Sequence, residues 1–205
     1  MKRLLPFLIL FPVFVSMSFG EIVFDYTISD TYEILPLTLS GESLLVTGAG
    51  ADTIDAFGES YIEVQNTAPL QANTGGIYTI HLTDFSSMNF YDGEMGNFKI
   101  YDDATATFSG GRIDYISSYQ DSDLLKHITF IADLDSIDIT GNLLTGNWLD
   151  GSGFSVTLQD QTGYDSVYSN INFIPEPATL LLFSLGAIGL RRQRPYRKRL
   201  RRYRG

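Results

Sequence analysis

The 205-residue sequence contains no cysteine and few basic residues in its long central part. Without cysteine the chain has no disulfide framework, no thiolate metal site and no cysteine nucleophile. Between residues 21 and 174 there are 23 acidic side chains against three basic ones, Lys99, Arg112 and Lys126. This central region would repel a phosphate backbone over most of its surface, which excludes nucleic acid as its partner.

Long hydrophobic runs are also missing from the centre, and the two that exist lie near the ends of the sequence. Met1-Lys2-Arg3 precedes an apolar run at 4–15, which is shorter than the roughly 20 residues that span a bilayer. Ser18 and Gly20 follow as small residues at the spacing that signal peptidase requires. We therefore predict a signal helix within a signal peptide at residues 1–20, cut after Gly20, with signal peptidase and the export machinery as partners.

The second apolar run lies at residues 178–190 and is flanked by two distinct signals. Pro175-Glu176-Pro177 precedes it, and Arg191, Arg192 and Arg194 open a basic tail at 191–205. The prolines keep the approach extended, and the run predicts a short transmembrane helix. The arginines act as a membrane stop-transfer patch that holds the C-terminus on the cytoplasmic side. An ordinary single-pass membrane anchor would not need the Pro-Glu-Pro motif.

With its signal peptide, this order of motif, apolar helix and arginine-rich tail resembles the PEP-CTERM sorting class. The resemblance implies that residues 174–205 form a sorting signal recognised by an exosortase, a membrane protease-transpeptidase. It also implies transit through the inner membrane, followed by a final place in the cell envelope, at the cell surface or in the extracellular matrix, in an envelope that makes exopolysaccharide. The tail of 15 residues is longer than the few basic residues common in the class. The resemblance does not extend to the domain at 21–173.

Apolar residues and glycines in that central domain recur every 18 residues between positions 46 and 134. A loop-like stretch at 67–74 shifts the phase by eight residues between Val64 and Phe90. The columns of residues 18 apart are Gly75, Gly93 and Gly111; Ile77, Met95, Ile113 and Ile131; Ile80, Phe98, Ile116 and Leu134; Val46 and Val64; and Phe90 and Phe108. A fixed period of this length is typical of a solenoid, in which equivalent side chains of successive rungs stack.

We therefore predict an all-β fold, a small β-solenoid of about 18 residues per rung. A hairpin of 143–148 and 154–158 would cap one end, Ile22–Ile28 would cap the other, and Val167–Phe173 would form the last strand. The alternative is an antiparallel β-sandwich, in which Ser109-Gly110-Gly111 would be a hairpin turn.

Few residues suggest chemistry. Residues 47–55 resemble one calcium-binding nonapeptide, but the next nine residues do not repeat it, and such sites need consecutive copies. Aspartate clusters at 102–103, 121–123 and 133–138 fit a solvated face better than a metal site. His81 and His127 lack a second ligand at metal-binding spacing. No catalytic residue, metal site or cofactor is predicted.

Three classes of function remain. The favoured one is a non-catalytic exported protein, displayed on the surface or in the extracellular polysaccharide matrix. The second is a module that binds extracellular polysaccharide or calcium, with tyrosines and Trp148 available to stack on sugar rings. The third, a polysaccharide-degrading enzyme, requires a basic residue beside an acidic cluster, and only Lys99, Arg112 and Lys126 are candidates.

Overall fold

A computed structural model describes residues 23–121 and 126–175, which form two β-sheets. The chain alternates between the sheets, one strand in each, from β1 to β11. In spatial order the seven-stranded sheet contains β1 (Tyr26–Ile28), β3 (Ser43–Val46), β5 (Tyr61–Val64), β7 (Ser87–Phe90), β9 (Thr105–Phe108), β11 (Ile128–Ile131) and β15 (Ile171–Ile174). The eight-stranded sheet contains β2 (Leu37–Ser40), β4 (Gly50–Phe57), β6 (Gly76–Leu82), β8 (Glu94–Tyr101), β10 (Arg112–Tyr119), β14 (Gly153–Gln159), β13 (Leu143–Asn147) and β12 (Asp138–Thr140).

The pairing in both sheets is mainly parallel. All neighbours in the seven-stranded sheet are parallel, and antiparallel pairing in the other sheet is confined to β12, β13 and β14. The strands on either side of Gly110-Gly111, β9 and β10, belong to different sheets. The hairpin turn that the antiparallel sandwich requires at Gly110-Gly111 is therefore not formed, and this alternative is wrong.

The register agrees with most of the predicted columns. Met95 pairs with Ile77 and with Ile113, and Phe98 pairs with Ile80 and with Ile116. In the other sheet Val46 pairs with Val64 and Phe90 with Phe108. The predicted shift of eight residues is also confirmed, because Val64 pairs directly with Phe90 across the 65–75 loop.

For two residues the predicted column is wrong. Ile131 lies on β11 and pairs with Ile174 in the seven-stranded sheet, so it does not touch the ladder of Met95 and Ile113. Leu134 starts a 3-10 turn, Leu134–Ser136, and is 44% exposed. The cause is a longer segment after β9: Ala106 pairs with Ile128, 22 residues on, which breaks the 18-residue phase.

Inward-facing side chains of the two sheets meet in one apolar core. The ladder that joins β4, β6, β8 and β10 is interrupted at one position of each strand, and burial along these strands is not strictly alternate. Ile113 and Ile116 are both buried, whereas Asp114 and Tyr115 between them face outward and Asp114 is missing from the ladder. Both isoleucines are therefore core residues, as the predicted columns require, although they lie three positions apart on one strand.

The two ends of the sheets differ from the predicted caps in detail. The β13–β14 hairpin is confirmed and continues the eight-stranded sheet beyond β10. At the other end β1 is the edge strand beside β3, and Tyr26 is exposed although Ile28 is buried. The predicted last strand is divided, since Val167–Asn170 forms a 3-10 turn and only Ile171–Ile174 is a strand.

A buried polar network fixes that last turn to the sheets. Asn170, which is 1% exposed, donates through Nδ2 to Ser118 Oγ and to Gln120 Oε1, and it accepts from the backbone N–H of His127. Gln120 in turn donates to the carbonyl of Ala104 at 3.1 Å. Each partner would lose a hydrogen bond in a dry environment if the turn detached, so the network holds β15 in place.

Candidate functional site

A cleft of about 620 Å³ lies along one corner of the domain, where chain segments pass from the seven-stranded to the eight-stranded sheet. Its floor consists of two successive corners, residues 91–94 and 109–112, which are aligned because Glu94 pairs with Arg112. One wall is the 65–75 loop, represented by Asn66, Thr67 and Pro69. The other wall is the β13–β14 turn. The concave shape therefore comes from two insertions into the 18-residue pattern.

Glu94 ties the loop wall to the floor. Its Oε2 accepts a hydrogen bond from the backbone N–H of Leu70 at 2.8 Å, and its own N–H donates to Thr67 Oγ1 at 2.8 Å. Thr67 is buried, and a Cβ on Gly93 would lie 2.7 Å from the Thr67 nitrogen. The loop is thus docked closely over the floor.

Arg112 is the only basic side chain that lines the cleft among the described residues. Its Nε donates to Asp114 Oδ1 at 2.9 Å, and its Nη1 lies 3.5 Å from Glu94 Oε2. The side chain is 61% exposed. Because a guanidinium carries five N–H groups, these two contacts leave further donors for a ligand.

Two aspartates line the cleft, one on the floor and one on the hairpin wall. Asp150 Oδ1 accepts from Ser152 Oγ at 2.6 Å and from the Ser152 N–H at 2.8 Å, and these bonds hold the pKa of Asp150 below its usual value. Asp92 Oδ1 accepts from the Gly93 N–H at 2.7 Å. In both residues the hydrogen bonds engage Oδ1, which leaves Oδ2 as an acceptor for a ligand. Asp150, held as a carboxylate, is unsuited to donate a proton.

The structure separates the other candidate residues. His81 Nδ1 lies 2.6 Å from Asp55 Oδ1, and the Nε2 atom of His81 is buried, although both side chains of the pair are partly exposed. His127 is 8% exposed, with Nδ1 3.2 Å from the Ala104 carbonyl. Lys126 Nζ donates to the Ile171 carbonyl, and Lys99 neighbours His81 in the ladder.

Two aspartates of the predicted clusters have local structural roles, and Asp123 of the cluster at 121–123 lies outside the described residues. Asp133 caps the 3-10 turn by accepting from the Asp135 N–H, and Asp102 accepts from the Asp84 N–H at 3.4 Å. The nonapeptide-like segment runs into β4 rather than a coordinating loop. Within 23–121 and 126–175, no group of three or more His, Asp or Glu side chains is arranged to hold a metal ion.

Aromatic side chains on the outer face of the eight-stranded sheet stack on one another. Tyr101 and Tyr119 have ring centroids 4.4 Å apart at 10°, and Tyr164 meets Tyr119 edge-on at 5.6 Å. These contacts occupy ring faces that a sugar would need. Trp148 is 1% exposed and donates to the Gly111 carbonyl, so it is not available to stack on a sugar ring.

Tyr61 and Tyr101 should lose their phenolic protons at a higher pH than an ordinary tyrosine. Burial raises the pKa of both to about 12, and for Tyr101 the neighbouring Tyr119 adds to the rise. Unfolded tyrosine loses its proton near pH 10, so the contribution of these groups to stability is complete below about pH 10. It should fall between about pH 10 and 12. Tyrosinate absorbance should therefore show a late step that Tyr101→Phe reduces; an unchanged step in that variant would contradict the assignment.

The sorting residues lie at the edge of what the structure describes. Pro175 directly follows β15, and Ser18, Gly20, Glu176, Pro177, Arg191, Arg192 and Arg194 lie outside the described residues, as does the predicted helix at 178–190. Residues 173–194 match the family model of the PEP-CTERM protein-sorting motif. The chain carries a PEP-CTERM sorting signal. Comparisons with the curated proteins and with the solved structures gave no match.

For this PEP-CTERM protein the motif implies export, a membrane-anchored transit and sorting by an exosortase. In the described part of the chain, none of the helical segments has the length and apolar character needed to cross a bilayer. The distance from the folded domain to the motif is short, because Ile174 still pairs with Ile131 and Pro175 is the next residue.

Sequence reasoning found only part of the cleft. Arg112 was considered as the basic residue beside an acidic group, and it does lie beside Glu94 and Asp114. Tyr91, Asp92, Glu94 and Asp150 were missed. The available signal was the position of the two interruptions of the period, the loop at 67–74 and the hairpin after 143, which become the walls of the cleft.

Proposed function

We propose that this chain is a non-catalytic exported protein that an exosortase sorts to the envelope, where its β-domain is displayed at the surface or in the extracellular polysaccharide matrix. The observation that carries the proposal is the sorting motif immediately after β15. The proposal treats the two sheets as a small β-solenoid, a rigid stack suited to display. Its support is the parallel pairing of residues 18 apart in both sheets.

The absence of catalysis is supported by the arrangement of the polar groups. Asp150 is stabilised as a carboxylate. The Glu94 carboxylate accepts a hydrogen bond from the backbone N–H of Leu70 and lies beside the Arg112 guanidinium. The Asp55–His81 pair is closed to solvent at Nε2. These groups are engaged in holding the domain together, whereas general acid–base catalysis needs a proton donor and acceptor that face the substrate.

Processing of the chain in its native host tests the sorting proposal. The mature protein should lack residues 1–20 and the tail at 191–205, which mass spectrometry of the protein recovered from the envelope would show. Glu176→Ala should leave a longer form in the membrane fraction, because the change alters the motif and no residue of β15. Trp148 fluorescence should be unchanged, since that side chain lies in the core.

The matched control is Glu59→Ala, which removes an exposed carboxylate outside the motif. It should be processed like the wild type. A mature wild-type protein that still carries the basic tail would show that the chain is merely anchored. Normal maturation of Glu176→Ala would show that sorting does not depend on the Pro-Glu-Pro motif. Release of new reducing ends from a polysaccharide by the purified protein would overturn the non-catalytic part.

A further inference from the structure

We propose that the cleft between the 65–75 loop and the β13–β14 turn binds a neutral saccharide of one or two sugar units. The inference concerns described residues only and is independent of how the protein is sorted. A volume of about 620 Å³ lies within the usual range of small-molecule sites, roughly 300–1,000 Å³. The cleft is formed where the chain departs from its repeat, so its shape is not a consequence of stacking rungs.

The polar groups of the cleft include both hydrogen-bond donors and acceptors. Arg112 and the Asn66 amide supply N–H donors, while Asp92 and Asp150 each keep a carboxylate oxygen free of the hydrogen bonds described above. A sugar hydroxyl donates one hydrogen bond and accepts others, so it requires both kinds of partner close together. A site for a simple ion would need only donors or only acceptors.

Tyr91 provides an apolar surface beside these groups. Its side chain is 47% exposed, and no ring among the described residues stacks on it, in contrast to Tyr101 and Tyr119. Leu149, 39% exposed, belongs to the β13–β14 turn that forms one wall of the cleft. The C–H face of a pyranose ring is apolar and packs on such surfaces, while the hydroxyls at its rim reach the polar groups.

Charge narrows the class of ligand further. Three carboxylates, Asp92, Glu94 and Asp150, line the cleft of an already acidic domain and would repel an anionic sugar such as a uronate. A cationic ligand would be attracted by these carboxylates, but it would leave the N–H donors of Arg112 and Asn66 without an acceptor. A neutral, polyhydroxylated molecule avoids the repulsion and supplies partners for both the donors and the acceptors.

Titration of the full chain with defined sugars tests the proposal. The protein is purified in a detergent without a sugar headgroup and titrated with maltose, cellobiose, lactose and mannobiose; digalacturonate serves as the charged comparison. Binding is followed by calorimetry and by saturation-transfer NMR. We expect saturable binding of at least one neutral disaccharide with a Kd in the millimolar range, roughly 1 mM, and weaker binding of digalacturonate.

The variants locate the binding. Tyr91→Ala should weaken it by about tenfold, because the ring face is lost. Asp150→Asn, which keeps an oxygen at Oδ1 for the turn, should weaken it by about threefold or more. Tyr26→Ala removes a tyrosine of the same 47% exposure at the far edge of the sheet and should bind like the wild type.

Trp148 fluorescence checks that each variant is folded. Three results would overturn the proposal: no saturable binding of any neutral disaccharide at millimolar concentration, tighter binding of digalacturonate than of every neutral sugar, or equal effects of Tyr91→Ala and Tyr26→Ala. None of these results depends on whether an exosortase processes the chain, so failure of the cleft and failure of the sorting proposal remain distinguishable.

Discussion

Gly111→Ala is expected to lower the free energy of unfolding by about 4 kcal/mol or more, enough to prevent folding of a marginally stable domain. Gly111 has φ = 73°, a left-handed conformation that costs an L-residue about 1–2 kcal/mol. The larger part of the expected loss in stability comes from packing, because a Cβ at this position would lie 2.6 Å from the carbonyl oxygen of Gly93, on the preceding corner. Backbone cannot move aside as a flexible side chain would.

The control separates the two costs. Gly141 also has a positive φ, 64°, but a Cβ there would meet nothing within 4 Å. Gly141→Ala should therefore cost only the conformational part, about 1–2 kcal/mol. Both values can be measured by chemical denaturation followed through Trp148 fluorescence. Equal losses in the two variants would show that the corners at Gly93 and Gly111 are not in close contact.

The predicted glycine column was right in position but not in every detail. Gly93 and Gly111 both occupy corners with positive φ, whereas at the equivalent corner the positive φ belongs to Gly76 rather than Gly75. The 65–75 loop enters the corner just before Gly76 and changes the local path of the backbone. A periodic sequence pattern indicates that a corner exists, but the conformation of each residue depends on the length of the segment that enters it.

The ladders were predictable for a simple geometric reason. Parallel strands of equal spacing place the same position of each repeat side by side, so a column in the sequence becomes a row of neighbours in the sheet. The prediction failed at Ile131 because it assumed a constant 18-residue length, and the segment between β9 and β11 is longer. Periodicity also did not reveal that each repeat contributes strands to two different sheets.

The cleft was less accessible to sequence reasoning because it joins distant segments. Asn66 and Asp150 are far apart in the chain and become opposite walls only because β14 is added next to β10. Nothing in the hairpin sequence specifies that neighbour. The direction in which an insertion folds back depends on packing of aromatic side chains around Phe130, which local patterns do not encode.

Phe130 joins the repeated part of the domain to the terminal hairpin. It pairs with Phe108 along the seven-stranded sheet, with ring centroids 5.3 Å apart. On its other side it stacks on Trp148 at 5.5 Å and 7°, and it contacts the Phe154 ring at 5.6 Å. The side chain is fully buried. Its removal would leave a cavity bordered by both parts of the core, each of which loses aromatic contacts.

Phe130→Ala should therefore cost about 4–5 kcal/mol, at the upper end for a large-to-small change in a core. The hairpin wall of the cleft should loosen with it, because Trp148 would lose the ring on which it stacks and its fluorescence should shift toward that of an exposed indole. The matched control is Phe85→Ala, whose side chain is 67% exposed and which should change stability by less than about 0.5 kcal/mol. If Phe130→Ala cost no more than Phe85→Ala, the hairpin would not be docked through this ring, and the cleft would lose the wall that carries Asp150.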